Sequence, residues 1–395
     1  MSATVEQTPR QILVVDDEPD LELLVRQRFR RQIREGEFEF FFSHNGEEAL
    51  VALDGKPTID VVLSDINMPV MDGLTLLGKL RERQGCLKAV VVSAYGDMPN
   101  IRTAMNRGAI DFLMKPIDFE DLEITIRKTL DHVAAIRQSM AVQESLLAIR
   151  QELSVAARIQ QSILPRTFPP FPARKDFELH ASMIPAKEVG GDLFDFFLLD
   201  EDHLGLVLGD VSGKGVPAAL FMAVSRTLLR ATALQKLPPG ECLQYVNTTL
   251  AAQNPSHMFV TMFYGILNTR TGELQFANGG HNPPYVFSAD GKVRELPRNK
   301  NGMIVGLLDG APYQTASHTI APGEALLVYT DGVTEAMDRR EDFYGEERLE
   351  ALLRENGALP VDALVKRLMA SVQEFAGGAE QSDDITVMAM RYRGN

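Results

Sequence analysis

The sequence has little of several features that would assign a protein to a class at once. Its 395 residues include two cysteines, Cys86 and Cys242, and no tryptophan. Two cysteines so far apart cannot make a disulfide framework, so a reducing, cytoplasmic setting is the simplest interpretation. No apolar run approaches about 18 residues, which argues against a membrane-spanning helix. The first ten residues lack the basic and apolar regions of a signal peptide.

Basic residues are also in deficit. The chain has 40 Lys and Arg against 54 Asp and Glu, which gives a formal net charge of −14. Binding nucleic acid without sequence preference needs a basic surface, and an anionic membrane would repel this one. We therefore expect neither direct DNA binding nor membrane binding. The open question is whether some of the surplus acids gather to hold cations.

Residues 11–130 alternate between short apolar runs and segments with helical spacing. The runs, such as ILVV at 12–15 and AVVVS at 89–93, predict five strands, and the helices between them are predicted at 20–32, 46–53, 72–82, 99–107 and 119–130. This alternation predicts an α/β domain with a five-stranded, doubly wound parallel sheet. Ligands of such sheets bind beyond the carboxyl ends of the strands.

The segment 119–164 contains neither Gly nor Pro and predicts one long helix. Its second half carries a heptad series with one polar position, Gln160; the apolar members are Leu146, Ile149, Leu153, Ala156 and Ile163. This spacing favours an interrupted coiled-coil seam and a homodimer formed through it. The alternative, a single amphipathic helix packed on its own domain, remains open.

Four prolines at 165–172 end this helix, and strand and turn patterns follow from about residue 174. Helices are predicted at 216–234, 239–252, 346–355 and 360–375. The pattern predicts an α+β domain, an antiparallel β-sandwich flanked by helices. We therefore divide the chain into an N-terminal tail at 1–10, a first domain at 11–130, a helical linker at 131–166 and a second domain at 167–395.

Polar residues follow the predicted parallel strands where a ligand would bind. Asp16 and Asp17 end the first strand, Asp65 the third, Ser93 the fourth and Lys115 the fifth. Carboxylates suit a hard cation such as Mg²⁺, and one carboxylate can act as a nucleophile that forms an acyl phosphate. The cation and Lys115 would then offset the charge of the incoming phosphoryl group.

The motifs around these residues, ILVVDDEPD, SDINMPVMDGL, VVSAYGD and GAIDFLMKP, resemble the receiver domain of bacterial two-component response regulators. The resemblance implies phosphorylation by a histidine kinase or phosphotransfer protein. A degenerate receiver that is never phosphorylated is the alternative. The resemblance to the receiver domain implies a role for each site residue. These are Asp65 as phospho-acceptor, Asp16, Asp17 and the Asn67 carbonyl as Mg²⁺ ligands, Ser93 and Phe112 as the switch pair, and Lys115 as the phosphate contact.

The second domain carries four separated acidic motifs, EVGGDLFDFF, GDVSGKGVPAAL, YTDGVTEA and SDDIT. An Asp-Gly pair alone usually marks a turn, but four such motifs around strands favour a shared site, because buried acids need partners or metal. Oxygen ligands suit a centre of two Mg²⁺ or Mn²⁺ ions, whose bridging hydroxide could attack phosphorus. The sequence has no HExxH motif and no Cys/His cluster for zinc.

These motifs, with AARIQQSILP and the GHNPP loop at 280–284, resemble the metal-dependent serine/threonine phosphatases of the PP2C (PPM) family, in the bacterial branch of SpoIIE and RsbU. The family's eukaryotic phosphate-binding Arg has no secure equivalent here. His281 is either a proton donor or, as we favour, part of a structural turn, and Asp195 is a possible outer ligand. The implied metal ligands are Asp192, Asp210 as the bridge, the Val211 carbonyl, Asp331, Asp383 and, less securely, Asp384.

Together the two resemblances imply a response regulator whose output is a Mn²⁺- or Mg²⁺-dependent phosphatase. The implied substrate is a phosphorylated anti-sigma-factor antagonist with the STAS fold, which would place the protein in sigma-factor and stress regulation. We expect the helix 119–164 to carry the signal to the segment 216–234. The alternative is a non-catalytic adaptor that binds a sigma factor or its regulator, for example for delivery to a protease. Leu193, where the GGDEF signature of diguanylate cyclases requires Glu, and the later GDVSGKG, TDG and DDIT motifs argue against a diguanylate cyclase.

Overall fold

The computed structural model describes residues 8–83, 85–94, 97–252, 254–297 and 302–394. Most of the predicted N-terminal tail, and Tyr95 and Gly96 of the VVSAYGD motif, lie outside these residues. The chain divides into two compact units, Met1–Ala148 and Ile149–Asn395. The division falls inside the long helix, whereas the sequence suggested a separate linker at 131–166.

The first unit is built on five parallel strands in the order β2-β1-β3-β4-β5. This order confirms the predicted doubly wound sheet and is flavodoxin-like. The central strands are buried on both faces, as a parallel sheet covered by helices requires. The strands are β1 (Arg10–Val15), β2 (Phe38–Ser43), β3 (Val61–Asp65), β4 (Lys88–Ala94) and β5 (Ala109–Lys115).

Six helices begin within the described residues of the first unit. The helix predicted at 20–32 is interrupted at Phe29, whose backbone leaves the helical region (φ −91°, ψ 15°) while its ring is fully buried. The helices are α1 (Pro19–Arg28), α2 (Arg30–Arg34), α3 (Gly46–Gly55), α4 (Gly73–Arg81), α5 (Met98–Asn106) and α6 (Phe119–Ile163).

The long helix α6 changes character along its 45 residues. Its first turns bury Leu122, Ile126 and Leu130 in a core cluster of the first unit, as a helix packed on its own domain would, and Val133 is buried as well. Further along, apolar side chains of the heptad series are about half exposed, with Leu146 at 53%. The helix ends at Ile163, two residues before Pro165.

The second unit contains two five-stranded sheets, ordered β13-β10-β9-β8-β7 and β12-β11-β14-β15-β6, in which every paired neighbour is antiparallel. The first sheet has β7 (Leu193–Leu198), β8 (His203–Val211), β9 (Val260–Asn268), β10 (Glu273–Gly279) and β13 (Ala316–Thr319). The second has β6 (Phe177–Ile184), β11 (Tyr285–Phe287), β12 (Val293–Glu295), β14 (Ala325–Tyr329) and β15 (Ile385–Tyr392).

The two sheets share one large core and are flanked by helices, which confirms the predicted β-sandwich. Alternate residues of β15 serve different neighbours: Met388 and Met390 join the core that includes the first sheet, while Val387 and Ala389 pack with the helices. The second-unit helices are α7 (Val216–Ala233) and α8 (Pro239–Ala251) on the first sheet, the short α9 (Asp331–Thr334), and α10 (Gly345–Asn356) and α11 (Val361–Ala376) beside the second.

Within the part of the chain that the structure describes, no helix has the length and apolar character needed to cross a membrane.

Two candidate acidic sites

The acids predicted to share a site in the first unit do come together. Asp16 and Asp17 follow β1 and Asp65 ends β3, at the carboxyl edge of the sheet. One carboxylate oxygen from each lies within 4.8 Å of the others, and among the described residues this is the one group of three or more acids, histidines or cysteines that meets this spacing. Carboxylates so close together suit a hard divalent cation.

Lys115, at the end of β5, already offsets part of this charge. Its Nζ lies 2.7 Å from Asp65 Oδ2, 3.1 Å from Asp16 Oδ2 and 2.8 Å from Glu18 Oε1. Burial by itself would lower the pKa of Lys115, but hydrogen bonds to Asp65, Glu18 and Asp16 raise it overall. Burial raises the pKa of Asp16. Sequence reasoning missed Glu18, although it stands in the DDEPD motif.

The other predicted receiver residues lie just after β3 or on β4 and β5. The backbone N–H of Asn67 donates to Asp65 Oδ1 at 3.2 Å, so the two residues share a tight turn. Ser93 is fully buried, and its hydroxyl donates to Asp97 Oδ2 at 3.3 Å. Phe112 is partly buried against a core cluster. The roles of Ser93 and Phe112 as a switch pair remain predictions.

The acids of the second unit come from both sheets. Asp192 directly precedes β7 and Asp210 is the penultimate residue of β8, in the first sheet. Asp331 begins α9 directly after Thr330, which follows β14, and Asp383 lies two residues before β15, in the second sheet. The predicted strand-end positions therefore hold with small shifts, and the four side chains are close enough to repel one another.

This repulsion appears in the carboxyl groups themselves. The pKa of Asp192 is raised well above its usual range by burial first, and then by the charges of Asp210 and Asp384. The pKa of Asp210 is raised to about 7 by burial, then by Asp331 and Asp383. Burial also raises the pKa of Asp331, with contributions from Glu335 and Asp383. A buried set of oxygen donors with unbalanced negative charge fits divalent cations.

Two threonines fix the orientation of Asp192. The hydroxyls of Thr330 and Thr386 both donate to Asp192 Oδ2, at 2.9 and 2.5 Å. All three side chains are buried. Since these bonds use Oδ2, they orient the carboxylate and leave its other oxygen, Oδ1, to face a different partner. Sequence reasoning missed both threonines, although they stand in the YTDG and DDIT motifs as buried polar residues next to strands.

Asp384, a predicted metal ligand, is bonded to the backbone of the loop that carries Asp192. Its Oδ1 accepts the backbone N–H of Ala186 at 2.7 Å, and its Oδ2 accepts those of Gly191 at 2.5 Å and Asp192 at 3.3 Å. Both carboxylate oxygens are therefore committed to the 186–192 loop. Asp384 positions the loop that carries Asp192, while its neighbour Asp383 joins the acidic cluster.

Asp195, the possible outer ligand, is paired with two arginines. It is fully buried, and its carboxylate lies 2.9 Å from a guanidinium nitrogen of Arg226 and 2.9 Å from one of Arg230, both on α7. A buried carboxylate between two guanidinium groups is satisfied without a cation. Asp195 therefore joins β7 to α7, and removing it would leave both arginines without this partner.

His281 has the surroundings of a structural turn. Its ring is buried, Nδ1 lies 2.8 Å from the Thr261 hydroxyl, and its backbone N–H donates to the side chain of Asn278 at 2.7 Å. Burial lowers its pKa to about 4, so the ring is neutral near pH 7 and is poorly suited to donate a proton. Thr261 pairs with Asp210 across β8 and β9, which places His281 behind the cluster.

Two further backbone and side-chain groups complete the cluster. A side chain on Gly191 would place its Cβ 2.9 Å from the Val211 carbonyl oxygen, so glycine keeps this predicted ligand uncovered. Lys214, in the GKG turn after β8, lies with Nζ 3.0 Å from Asp383 Oδ2 and also donates to the Ser382 carbonyl. Sequence reasoning missed Lys214; its position between two glycines beside a metal motif was the available signal.

Comparison with known proteins agrees with this division. The family model for the response regulator receiver domain matches residues 12–127, and the model for stage II sporulation protein E (SpoIIE) matches residues 200–393. Protein IcfG of Synechocystis sp. is 33% identical in an alignment 274 positions long, which covers 62% of this chain and 42% of IcfG. Phosphoserine phosphatase RsbU of Bacillus subtilis is 26% identical over 280 residues, which are 70% of this chain and 80% of RsbU.

A solved structure supports the fold of the second unit. The SiaA-PP2C domain of Pseudomonas aeruginosa superposes with a TM-score of 0.56 and 23% sequence identity, over 63% of this chain and 98% of that domain. At this sequence identity the structural similarity is evidence for the fold alone. The chain thus combines a response regulator receiver domain in its first unit with a SpoIIE-type PP2C domain in its second.

Proposed function

We propose that this chain is a response regulator whose output is a metal-dependent serine/threonine phosphoprotein phosphatase. The observation that carries the proposal is the acidic cluster of the second unit, where buried carboxylates from two sheets raise one another's pKa. Such an arrangement is costly unless cations bind to it. The similarity to phosphoserine phosphatase RsbU supports the same activity.

The residues that would hold two Mn²⁺ or Mg²⁺ ions are Asp192, Asp210, Asp331, Asp383 and the Val211 carbonyl. Bound there, the ions would supply an activated water at neutral pH and offset the charge of the substrate phosphate. The chain's own groups prepare this centre. Thr330 and Thr386 orient Asp192, Asp384 fixes the 186–192 loop, and Lys214 adds one positive charge beside Asp383.

In the receiver, Asp65 would accept a phosphoryl group from a histidine kinase or phosphotransfer protein. Mg²⁺ held by Asp16, Asp17 and the Asn67 carbonyl would offset the phosphoryl charge. The Lys115 ammonium, 2.7 Å from Asp65 Oδ2, is already in place to do the same. The Ser93 hydroxyl would exchange its bond to Asp97 for one to the phosphate, and Phe112 would follow this change.

The substrate we propose is a phosphoserine or phosphothreonine on a STAS-type anti-sigma-factor antagonist, so that the phosphatase controls a sigma factor in the cytoplasm. The direct test is release of phosphate from such a phosphoprotein, and from p-nitrophenyl phosphate, with Mn²⁺ present. Asp210→Ala and Asp331→Ala are expected to be inactive on both. Inert wild type that still binds a sigma factor or antagonist would favour the adaptor function instead.

Regulation would pass along α6. Phosphorylation of Asp65 would change the receiver surface, and α6 would pair with a second copy and shift the segment 216–234 near the cluster. The half-exposed Leu146 and Ile149 support such pairing, because apolar side chains in a heptad series gain from burial against a partner helix. Beryllofluoride, a phosphoryl mimic, should raise phosphoprotein turnover. Equal turnover with and without it, and in the 165–395 fragment, would contradict the switch.

Dimerisation has its own test, because it can fail while catalysis stands. Leu146→Asp places a charge in the apolar series and should convert a dimer into a monomer in light scattering. Glu144→Asp, on an exposed position of the same helix turn, is the control and should leave the dimer intact. A wild-type chain that is monomeric at all concentrations would remove dimerisation from the proposal.

A further inference from the structure

Gln160 is the polar exception in the heptad series of α6, and the structure gives a reason for it. We infer that Gln160 is a positioning residue that ties the end of α6 to the 186–192 loop, and through this loop sets the place of Asp192. The role in metal binding rests on the proposed function. The contact with the loop stands on the geometry alone.

The contact is a closed pair of hydrogen bonds. The Gln160 side-chain Nε2 donates to the Gly190 carbonyl at 2.5 Å, and the Gly190 N–H donates to Gln160 Oε1 at 3.1 Å. Gln160 is 7% exposed, so water cannot replace the amide at little cost. Both backbone groups of Gly190 thus depend on one side chain. An apolar residue at this position would leave a buried N–H and a buried carbonyl without these partners.

The loop is also held from its other side. Asp384 accepts the N–H groups of Gly191 and Asp192, and a Cβ on Gly190 would lie 2.4 Å from Asp384 Oδ2. Gly190 is therefore enclosed between a glutamine from α6 and a carboxylate from the turn before β15. Asp192 follows two residues later. A displacement of Gln160 must either break its bonds to Gly190 or move the loop, and with it a proposed metal ligand.

The position of Gln160 on α6 explains how a change along the helix would reach this residue. One face of α6 carries Leu146 and Ile149, both 53% exposed, and Leu153 and Ala156, which are partly buried. The same face then carries Gln160, and Leu164 directly after the helix is 8% exposed in the core of the second unit. The apolar series therefore runs into the domain at Gln160. If the apolar series becomes covered by a partner helix or loses that cover, the change acts on α6. The last turn of α6 is hydrogen-bonded to the 186–192 loop.

Removal of the side-chain amide tests this inference. Gln160→Met fills similar space without either hydrogen bond and is the deciding variant, with Gln160→Ala beside it. Gln151→Ala, an exposed glutamine on the same helix, is the matched control. We expect Gln160→Met in the full chain to bind Mn²⁺ about 10-fold more weakly by calorimetry, as loss of groups that support metal ligands does. Gln151→Ala should match wild type.

A second readout needs neither metal nor substrate. Amide hydrogen exchange of the peptide spanning 186–192, measured in EDTA, should be faster in Gln160→Met and unchanged in Gln151→Ala. Folded Gln160→Met with wild-type exchange in this peptide would overturn the inference. Faster exchange with unchanged Mn²⁺ affinity would overturn its link to the metal site. Wild type that binds no Mn²⁺ would instead defeat the proposed function, while the exchange result would still decide the contact.

Discussion

The two acidic sites solve the same electrostatic problem in different ways. In the receiver, the Lys115 ammonium lies within 3.1 Å of carboxylate oxygens from Asp16, Glu18 and Asp65. In the second unit, the described residues include no Lys or Arg in an ion pair with Asp192, Asp210 or Asp331, and the nearby Lys214 pairs with Asp383. The receiver acids are partly neutralised by the protein itself, whereas the second set depends on cations from outside.

The difference extends to the groups that orient the acids. Asp192 is held by neutral donors, the hydroxyls of Thr330 and Thr386, which fix direction without cancelling charge. Neutral donors keep a carboxylate strongly attractive to a cation, and a lysine weakens that attraction. We therefore expect the acids of the second unit to bind a cation more tightly than those of the receiver.

The largest effect should follow from removing one acid of the second cluster. Asp210→Asn preserves shape but removes a carboxylate whose charge acts on Asp192, so hydrolysis of p-nitrophenyl phosphate with Mn²⁺ should fall more than about 100-fold. Asp202→Asn, an acid of the same unit paired with Arg270 outside the cluster, is the control and should retain activity. Wild-type turnover by Asp210→Asn would contradict the view that the acids of the second unit act together to bind cations.

Cation binding should stabilise the second unit more than the first. At about 100 times its dissociation constant, a ligand adds about 2.7 kcal/mol to stability. For a unit of this size that raises the thermal midpoint by about 8 °C. Differential scanning calorimetry of the full chain, with Mn²⁺ against EDTA, should show this rise in the second unit's transition and a smaller one in the receiver's. Equal rises would show that Lys115 makes no difference to cation dependence.

His281 extends the comparison between the two acidic sites. Its buried ring is neutral near pH 7, whereas Lys115 brings a positive charge to the receiver acids. Its folded-state pKa of about 4 lies below the unfolded value near 6.5, so the unfolded chain binds more protons. Stability should be complete above pH 6.5 and fall as pH drops toward 4, by about 2.5 kcal/mol at pH 4.5. His281→Asn keeps a partner for Thr261 and should lose this part of the acid sensitivity in thermal melts at pH 7 and 4.5. Unchanged sensitivity would mean that His281 is charged when folded.

The smallest effect should come from making the receiver resemble the second site. Lys115→Met removes the ammonium that competes with a cation for Asp16 and Asp65, so Mg²⁺ should bind about threefold more tightly, a gain typical of a weak ion pair. The same variant should accept phosphoryl groups poorly. Lys128→Met removes an exposed lysine that pairs with Asp111 and serves as control. Weaker Mg²⁺ binding by Lys115→Met would contradict the competition, and fluorescence titration can measure either outcome.

The sequence was sufficient for the features that repeat locally. Strand and helix periodicity indicated the fold class of each unit, and acids beside glycines or at strand ends marked Asp16, Asp65, Asp192, Asp210 and Asp331. Such features can be predicted from the sequence because a strand end and its neighbouring residues are determined by a few adjacent positions.

Local sequence patterns could not show which groups each site residue is hydrogen-bonded or ion-paired to. Asp384 bonds to Ala186, 198 residues earlier, and an adjacent pair of acids gives no sign of which one faces the backbone. Asp195 looks like a ligand until α7 supplies Arg226 and Arg230. Gln160 looked like a flaw in a heptad, because its partner Gly190 lies 30 residues away in an irregular loop. These assignments depend on tertiary contacts that no local pattern encodes.

The place of β15 has a consequence for how the protein is made. This strand lies between β14 and β6, and its residues pair with both, from Ile385 with Ile184 to Tyr392 with Phe177. Synthesis runs from the N-terminus, so β6 and β14 leave the ribosome with a gap between them. Asp383 and Asp384 arrive with the strand that fills it. The nascent second unit therefore cannot bring Asp383 to the acidic cluster before β15 is inserted.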